Sequence, residues 1–526
     1  MSGTSHSLVE MLGALSLAGD LGMGRPLEHS LRTAYLSARL ADQLELGDAG
    51  RGNALYVSLL HAIGCVADAH DMARAFSSDE IALKSEAALV DDDDMRALLG
   101  LLLRHAGRGR PAWARPMAVL RAMTQANAVF VEGLRAHCEV GDALARRIGL
   151  SEDSRRGLLA LFERWDGKGI NRLAGEQIPL AARIHGVAMT VEVFFSDAGR
   201  EAAAEALRAQ SGRACEPRLV DAFARLASDD PELWSDLRGP DLAARLAKFE
   251  PAGTDSVVDE SRLEGIAEAY ADFADLKSPF TLGHSRRVAE LIVDAGRRLG
   301  FRDPELSRLR LAGLLHDIGR AAIPNTILDK PGPLTDAEWE SVRLHPYHAE
   351  RILGRGAALA DLAPLAGAHH ERLDASGYYR GSTAGQLPVA ARLLAAADVA
   401  AALTEARPHR PAVGPSAAAI VLRTEVRDGR LDPHCTEAVI QAVLGRPTSP
   451  PARGGQLSER EIQVLALLAR DRSTREAAHE LGITAKTLRH HVEHVYDKLG
   501  VSTRPAAVVI ALERGLLTDA TLPRRG

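Results

Sequence analysis

Apolar residues in this chain recur at i, i+3, i+4 and i+7 through long stretches such as RVAELIVDAGRRLG (287–300) and EIQVLALLAR (461–470), whereas period-two alternation is scarce. The first spacing lays an apolar stripe along a helix of 3.6 residues per turn, and the second is what a half-buried strand would need. The pattern predicts an all-α protein. Two interruptions divide it. GRPTSPPARGGQ (445–456) holds three Pro and three Gly in twelve positions, which stops a helix and reads as a linker, and PAGTDSVVDE (251–260) is a weaker polar break. Three helical segments are expected: 1–250, 255–445 and 457–520, with 446–456 linking the last two.

The first two segments repeat one another. His29-Ser30 precedes His61 of LLHAIG by 32 residues, and His284-Ser285 precedes His316 of LLHDIG by the same 32. ERWDGKG (163–169) and IPLAAR (178–183) then parallel ERLDASG (371–377) and LPVAAR (387–392), with 47 extra residues in the first copy between His61 and Glu163. The run Asp91 to Asp94 falls in that insertion and reads as a helix start or solvated turn rather than a metal site.

Composition narrows the class. Hydrophobic residues make up 46% of 526 positions but aromatics only 4%, so the cores must rest on Ala, Leu, Val and Ile. Four scattered cysteines without a CxxC pair exclude a disulfide scaffold and fit a reducing cytoplasm. The N-terminal run lacks a basic start and carries Glu10 and Asp20, and even the alanine-rich stretch 388–403 contains Arg392 and Asp398. A cytoplasmic protein with no membrane partner is predicted. Residues 453–526 carry twelve Lys and Arg against nine Asp and Glu, a net +3, while residues 1–452 carry −9; only the tail leans toward nucleic acid.

Candidate metal ligands recur in the second copy at intervals of one helical hairpin. His284, His316-Asp317, His345, His369-His370 and Asp398 are 32, 28, 24 and 28 residues apart. Two antiparallel helices and their loops consume about that many residues, so successive ligands return to the same end of a bundle. Imidazole and carboxylate suit first-row divalent cations, and seven such groups are too many for one tetrahedral ion but reasonable for two. Asp317 is the natural bridge.

LGHSRRVA, LLHDIGRAAIP, ILDKPGPLT, RLHP, HHERLDASGYYRG, LPVAARLLAAAD and RPHRPA, in order over 265–445, resemble the HD-GYP phosphodiesterases of the HD superfamily, which hydrolyse cyclic di-GMP. The resemblance implies two iron or manganese ions on His284, His316, Asp317, His345, His369, His370 and Asp398. Those cations would activate a water for in-line attack at phosphorus and stabilise the attacking and leaving oxygens, giving pGpG or GMP. It further implies that Arg320, with Asp317, serves catalysis, and that Arg320, Tyr378, Arg407 and Arg410 contact the substrate. Arg320 stands where the family has lysine, which trades a point charge for a fork. The GYP motif is Gly377-Tyr378-Tyr379, its preceding glycine is Ala375, and Phe280 occupies the position of a third-metal glutamate, so two metals are expected. In the first copy the HD, HH and final Asp positions are His61-Ala62, Leu161-Phe162 and Met189. Residues 1–250 therefore resemble a degenerate HD domain with a sensory or dimerisation role.

Residues 457–517 resemble the LuxR-type helix-turn-helix, a four-helix domain, almost end to end. EREIQVLALLA and STREAAHELGI form two helices with Gly482 at the turn, and Thr484 caps a third, TAKTLRHHVEHVYDKLG, with Val492, Val495 and Leu499 facing the core. A recognition helix reads DNA with its first turns, so Thr484, Lys486, Thr487, Arg489 and His490 are the expected DNA contacts, made by a homodimer on two half-sites. The fold expected is two tandem HD-type bundles, the first degenerate, then this domain. The function expected is cyclic di-GMP hydrolysis coupled to transcriptional regulation. The alternatives are a catalytically weak or inactive nucleotide-sensing transcription factor, and an HD phosphohydrolase for another nucleotide.

Overall fold

The computed structural model describes residues 6–91, 93–108, 113–240, 242–252, 257–445 and 457–517. The expected linker 446–456 lies outside the described residues. The fold is all-α: the only sheet among the described residues is an antiparallel pair of two-residue strands, His6–Ser7 and Val257–Val258. The chain divides into two compact units, Met1–Ile266 with Gly356–Ala358, and Ala267–Arg355 with Leu359–Gly526. Among the described residues no helix is long and apolar enough to cross a membrane.

The first unit centres on the helix His29–Gln43, which packs against Gly47–Leu59 and Leu180–Ala198. In the second, His284–Arg298 packs against Asp303–Leu315, Val389–Thr404 and Pro433–Leu444. Both central helices open with His-Ser behind a left-handed residue, Glu28 (φ 70°) and Gly283 (φ 77°). Small residues let the second bundle close tightly. A Cβ on Gly313 would lie 2.7 Å from the Cα of Ala289, and Val389–Thr404 buries alanines along much of its length. A buried carboxylate ties each central helix to the chain before it. Asp20 accepts from the Ser30 N–H and hydroxyl at 3.0 and 2.6 Å, and Asp275 accepts from Ser285 in the same way at 2.8 and 2.8 Å.

The 47 extra residues build a helical layer of their own. Helices Glu80–Ala87, Met95–His105 and the first turns of Arg115–Ile148 enclose a small core of Phe76, Leu83, Leu101 and Ala122. Asp94 accepts from the N–H groups of Arg96 and Ala97 as the cap of Met95–His105, while Asp91 and Asp93 pair with Arg213. Asp92 lies outside the described residues. The rest of the run is a helix start held by arginine, as the sequence suggests.

The C-terminal helices are Glu459–Ala469, Thr474–Glu480, Ala485–Leu499 and Arg504–Glu513. Ser458 with Glu461 and Ser473 with Glu476 form capping boxes on the first two. Gly482 takes φ 64° at the turn, a conformation glycine adopts without a Cβ clash. Thr484 caps the third helix by accepting from the Thr487 N–H at 3.1 Å. Val495 and Leu499 are buried as expected, Leu488 joins them, and Val492 packs half-buried beside them.

Candidate metal centre

All seven candidate ligands of the second bundle meet at one buried point. His284 opens its helix, His316 closes Asp303–Leu315, and Asp317 begins the short 3-10 turn Ile318–Ala322. His345 opens His345–Leu353, His369-His370 follow Ala363–Gly367, and Asp398 lies within Val389–Thr404. Helix ends and one helix interior thus deliver groups from five places in the sequence.

Asp317 divides the cluster in two. Its Oδ2 lies 3.1 Å from His316 Nε2 and 3.4 Å from His284 Nε2, and its Oδ1 lies 3.3 and 3.5 Å from His345 and His369 Nε2. Asp398 joins the first side, with Oδ1 at 3.1 Å from His284 Nε2, and its Oδ2 lies 3.6 Å from His370 Nδ1. Two sets result, His284, His316 and Asp398 on one side and His345, His369 and His370 on the other.

The far nitrogens of these rings are already committed. His316, His345 and His369 donate Nδ1–H to the carbonyls of Gly313, Val342 and Ala366, at 2.8, 2.6 and 2.5 Å. His284 donates Nδ1–H to Glu405 at 2.9 Å. Outer partners of this kind fix the tautomer and turn Nε2 inward as a lone pair. Nε2 of His345 and His369 then face one another at 3.0 Å, which two neutral acceptors do not favour without a cation between them. His316 Nε2 and Asp317 Oδ1 are buried without a hydrogen-bond partner. Such orphaned donor atoms fit divalent cations, as an HD domain implies.

The electrostatics agree. Burial pushes His284 and His316 down, but the carboxylates of Glu405, Asp317 and Asp398 outweigh it, holding His284 well above its ordinary value and His316 at about 9. Burial pushes Asp317 up, yet Arg320 and the imidazoles hold it well below the usual carboxylate range. Negative charge therefore exceeds what the rings alone balance, and cations can replace the two protons. Burial dominates at His369, which falls to about 4 against Asp317, and at His370.

The other expected residues divide. Arg320 sits inside the cluster, its Nη1 2.8 Å from Asp317 Oδ2. The Tyr378 ring lies 4.7 Å from that of His370, its N–H donating to the His370 carbonyl at 3.2 Å. Arg407 touches the cluster only through Glu405, at 3.1 Å. Arg410 spends its guanidinium on the carbonyls of Ala402, Leu403 and Glu405 at the end of Val389–Thr404. Thr484, Lys486, Thr487, Arg489 and His490 are exposed on the first turns of Ala485–Leu499. Glu405 was not singled out from the sequence. It lies seven residues, two helical turns, beyond Asp398, a spacing that places both on one face.

The first bundle keeps part of this frame. His61 donates Nδ1–H to the Ser58 carbonyl at 2.8 Å, as His316 does to Gly313. His137 stands where His345 stands: a Cβ on Gly64 would lie 2.0 Å from its carbonyl, and one on Gly319 2.1 Å from that of His345. The T-shaped pair His137 and Phe162, 5.1 Å apart, matches His345 and His370 at 5.0 Å. Three imidazoles persist, while Ala62, Leu161, Phe162 and Met189 replace the remaining groups, and the described residues of this bundle offer no cluster of metal-binding geometry on their own.

Residues 268–435 match the HD domain family, and residues 455–511 match the family of bacterial regulatory proteins of the luxR type. The chain is 32% identical over 437 residues, 83% of its length and 94% of the relative's, to 3'3'-cGAMP-specific phosphodiesterase 3 of Vibrio cholerae. It is 39% identical over 165 residues, 31% of its length and 39% of the relative's, to a cyclic di-GMP phosphodiesterase of Pseudomonas aeruginosa. The crystal structure of the cyclic GMP-AMP-specific phosphodiesterase V-cGAP3 of V. cholerae superposes with a TM-score of 0.58 at 29% identity, covering 84% of this chain and 99% of that one. With its HD bundle and a likeness running nearly the whole length of such an enzyme, the chain belongs to the HD-domain cyclic dinucleotide phosphodiesterases, here joined to a luxR-family DNA-binding domain.

Proposed function

We propose that the second bundle hydrolyses a 3',3'-linked cyclic dinucleotide on a centre of two divalent cations, iron or manganese, and that the C-terminal domain binds DNA as a homodimer. Asp317 carries the reading: each of its oxygens faces a different group of imidazoles, as a carboxylate shared by two ions must. His284, His316 and Asp398 would hold one ion and His345, His369 and His370 the other. Bound there, the ions supply Lewis acidity to the phosphodiester and a nucleophilic water at neutral pH.

The chain's own residues set the geometry. Glu405 and three backbone carbonyls fix the rings, and Arg320 holds Asp317 by an ion pair. Tyr378 walls the site beside His370, where an aromatic face can stack a base. Two substrates are favoured by different observations. The cGAMP-specific relative matches across both bundles, which supports 3'3'-cGAMP as the first candidate; the cyclic di-GMP enzyme matches a shorter stretch at higher identity, which supports cyclic di-GMP as the second.

Anaerobic product analysis with iron or manganese on both dinucleotides, beside Asp317→Ala, tests the reading. Turnover of cGAMP exceeding that of cyclic di-GMP and lost in the variant is expected. Equal turnover in the variant would remove the two-cation reading. The DNA arm is a regulatory output: cyclic dinucleotide occupancy alters operator binding through Lys486, Thr487, Arg489 and His490. Operator affinity unchanged across a dinucleotide titration with metal present would sink that coupling.

A further inference from the structure

We propose that the inserted helical layer of the first unit is a dimerisation surface whose occupant is a second copy of this chain. The inference deepens the homodimer named above by assigning its interface. Helix Met95–His105 and the first turns of Arg115–Ile148 bury one side in their own small core, with Leu101 and Ala122 inside it. Their outer side is apolar as well. Met95, Leu99 and Leu103 follow one another at i, i+4 and i+8 in one stripe of the first helix, Met117 and Leu120 share a face of the second at i and i+3, and Trp113 lies in the turn that leads into it.

Trp113, Met95 and Met117 are 85%, 73% and 71% exposed, and the three leucines between 44% and 57%. Together they present on the order of 700 Å² of apolar surface, above the ~300–600 Å² of the largest patch on a typical monomer. It is close to the ~800 Å² each partner buries in a stable interface. A helix apolar on both sides belongs inside an assembly.

Charge selects the occupant and its direction. Helix Met95–His105 follows its exposed cap Asp94, Asp93 being held by Arg213 and Arg164, and carries in its last turn exposed Arg104, which meets Glu86 at 3.2 Å. Two-fold antiparallel pairing sets the acidic start of one copy against Arg104 of the partner subunit and opposes the two helix dipoles favourably. The competing occupant is an anionic membrane, since Arg96, Arg115 and Arg121 are exposed on the same two helices.

Sedimentation of the full chain, with no nucleotide or DNA, separates these and does not depend on catalysis or operator binding. A dimer is expected, weakened at least ~100-fold in Met117→Asp/Leu120→Asp with helicity retained. Oxidative footprinting of the wild type supplies a readout that needs no variant: Met95 and Met117 should be protected at high concentration and reactive on dilution. A monomeric wild type, a dimer indifferent to the double substitution, or methionines equally reactive at all concentrations overturns the proposal. So does a monomer that floats with phosphatidylcholine/phosphatidylglycerol vesicles, which would assign the face to lipid.

Discussion

Glu405 accepts the Nδ1–H of His284 at 2.9 Å, and in the first bundle Glu192 accepts that of His29. By the register of the repeat Glu192 falls opposite Ala401, one turn before Glu405, so the two bundles reach the same hydrogen bond from different positions. In the second bundle it turns His284 Nε2 toward Asp398 and Asp317. Glu405→Gln keeps the hydrogen bond but loses the charge that raises the basicity of His284. Cation affinity should fall about 10- to 100-fold, with helicity unchanged. Manganese titration followed by elemental analysis checks this, and unaltered affinity would make Glu405 a bystander.

Gly319 and Gly64 offer a matched pair. A Cβ on Gly319 would stand 2.1 Å from the His345 carbonyl and 2.7 Å from the Ala349 nitrogen, backbone atoms that cannot rotate away. Gly319→Ala must push helix His345–Leu353 outward and carry His345 with it. A displacement of about 1 Å at such a centre costs about 100-fold in turnover. Gly64→Ala imposes the same clash on His137 in the first bundle, and should lower thermal stability while leaving cation content intact. Equal metal loss in both variants would break the distinction between the two bundles.

The histidines and aspartates of the second bundle were legible because their spacing follows the hairpin length, and the capping residues of the C-terminal domain because Ser458, Ser473 and Thr484 act locally. His137 was not legible as the counterpart of His345, because the 47 inserted residues fall between Gly64 and His137 and hide the register; only the close glycine contact restores it. Arg410 reads as a phosphate ligand by motif, but the carbonyls of a helix end take up its guanidinium, and a sequence does not show which acceptor a fork meets. The outer stripe of Met95–His105 was not legible, since periodicity cannot tell a buried face from an unpartnered one.

Ala375 sits at φ 64°, where the family pattern has glycine. The left-handed conformation costs a Cβ-bearing residue about 1–2 kcal/mol. Glycine returns about 0.4–1 kcal/mol of that through the entropy of the unfolded chain. Ala375→Gly should therefore stabilise the second unit by about 0.5–1 kcal/mol, raising its melting temperature by roughly 2 °C with metal content unchanged. Gly377 tolerates no such exchange in reverse, because a Cβ there would lie 2.4 Å from the Arg372 nitrogen. A lowered melting temperature in Ala375→Gly would show that the loop gains from its alanine.

The first bundle should be acid-sensitive from pH 6.5 downward. Burial lowers His137 from 6.5 to about 4 and His185 from 6.5 to about 3. Below 6.5 the unfolded chain binds protons that the folded one refuses, so stability is full above that pH and lost as it falls. Burial raises Asp20 from 3.8 to about 6, and it works in the opposite sense over that interval. His61 is likewise held well below its ordinary value by burial, so three histidines against one aspartate leave a net loss of several kcal/mol between pH 6.5 and 4. Tryptophan fluorescence during thermal unfolding reports chiefly on this unit, which holds Trp113, Trp165 and Trp234 of the four tryptophans. His185→Gln retains a polar atom for Ser58, whose Oγ lies 3.1 Å from His185 Nδ1, but cannot take up a proton. It should remove about 3 kcal/mol of the fall, and an unchanged profile would mean that His185 does not carry the sensitivity.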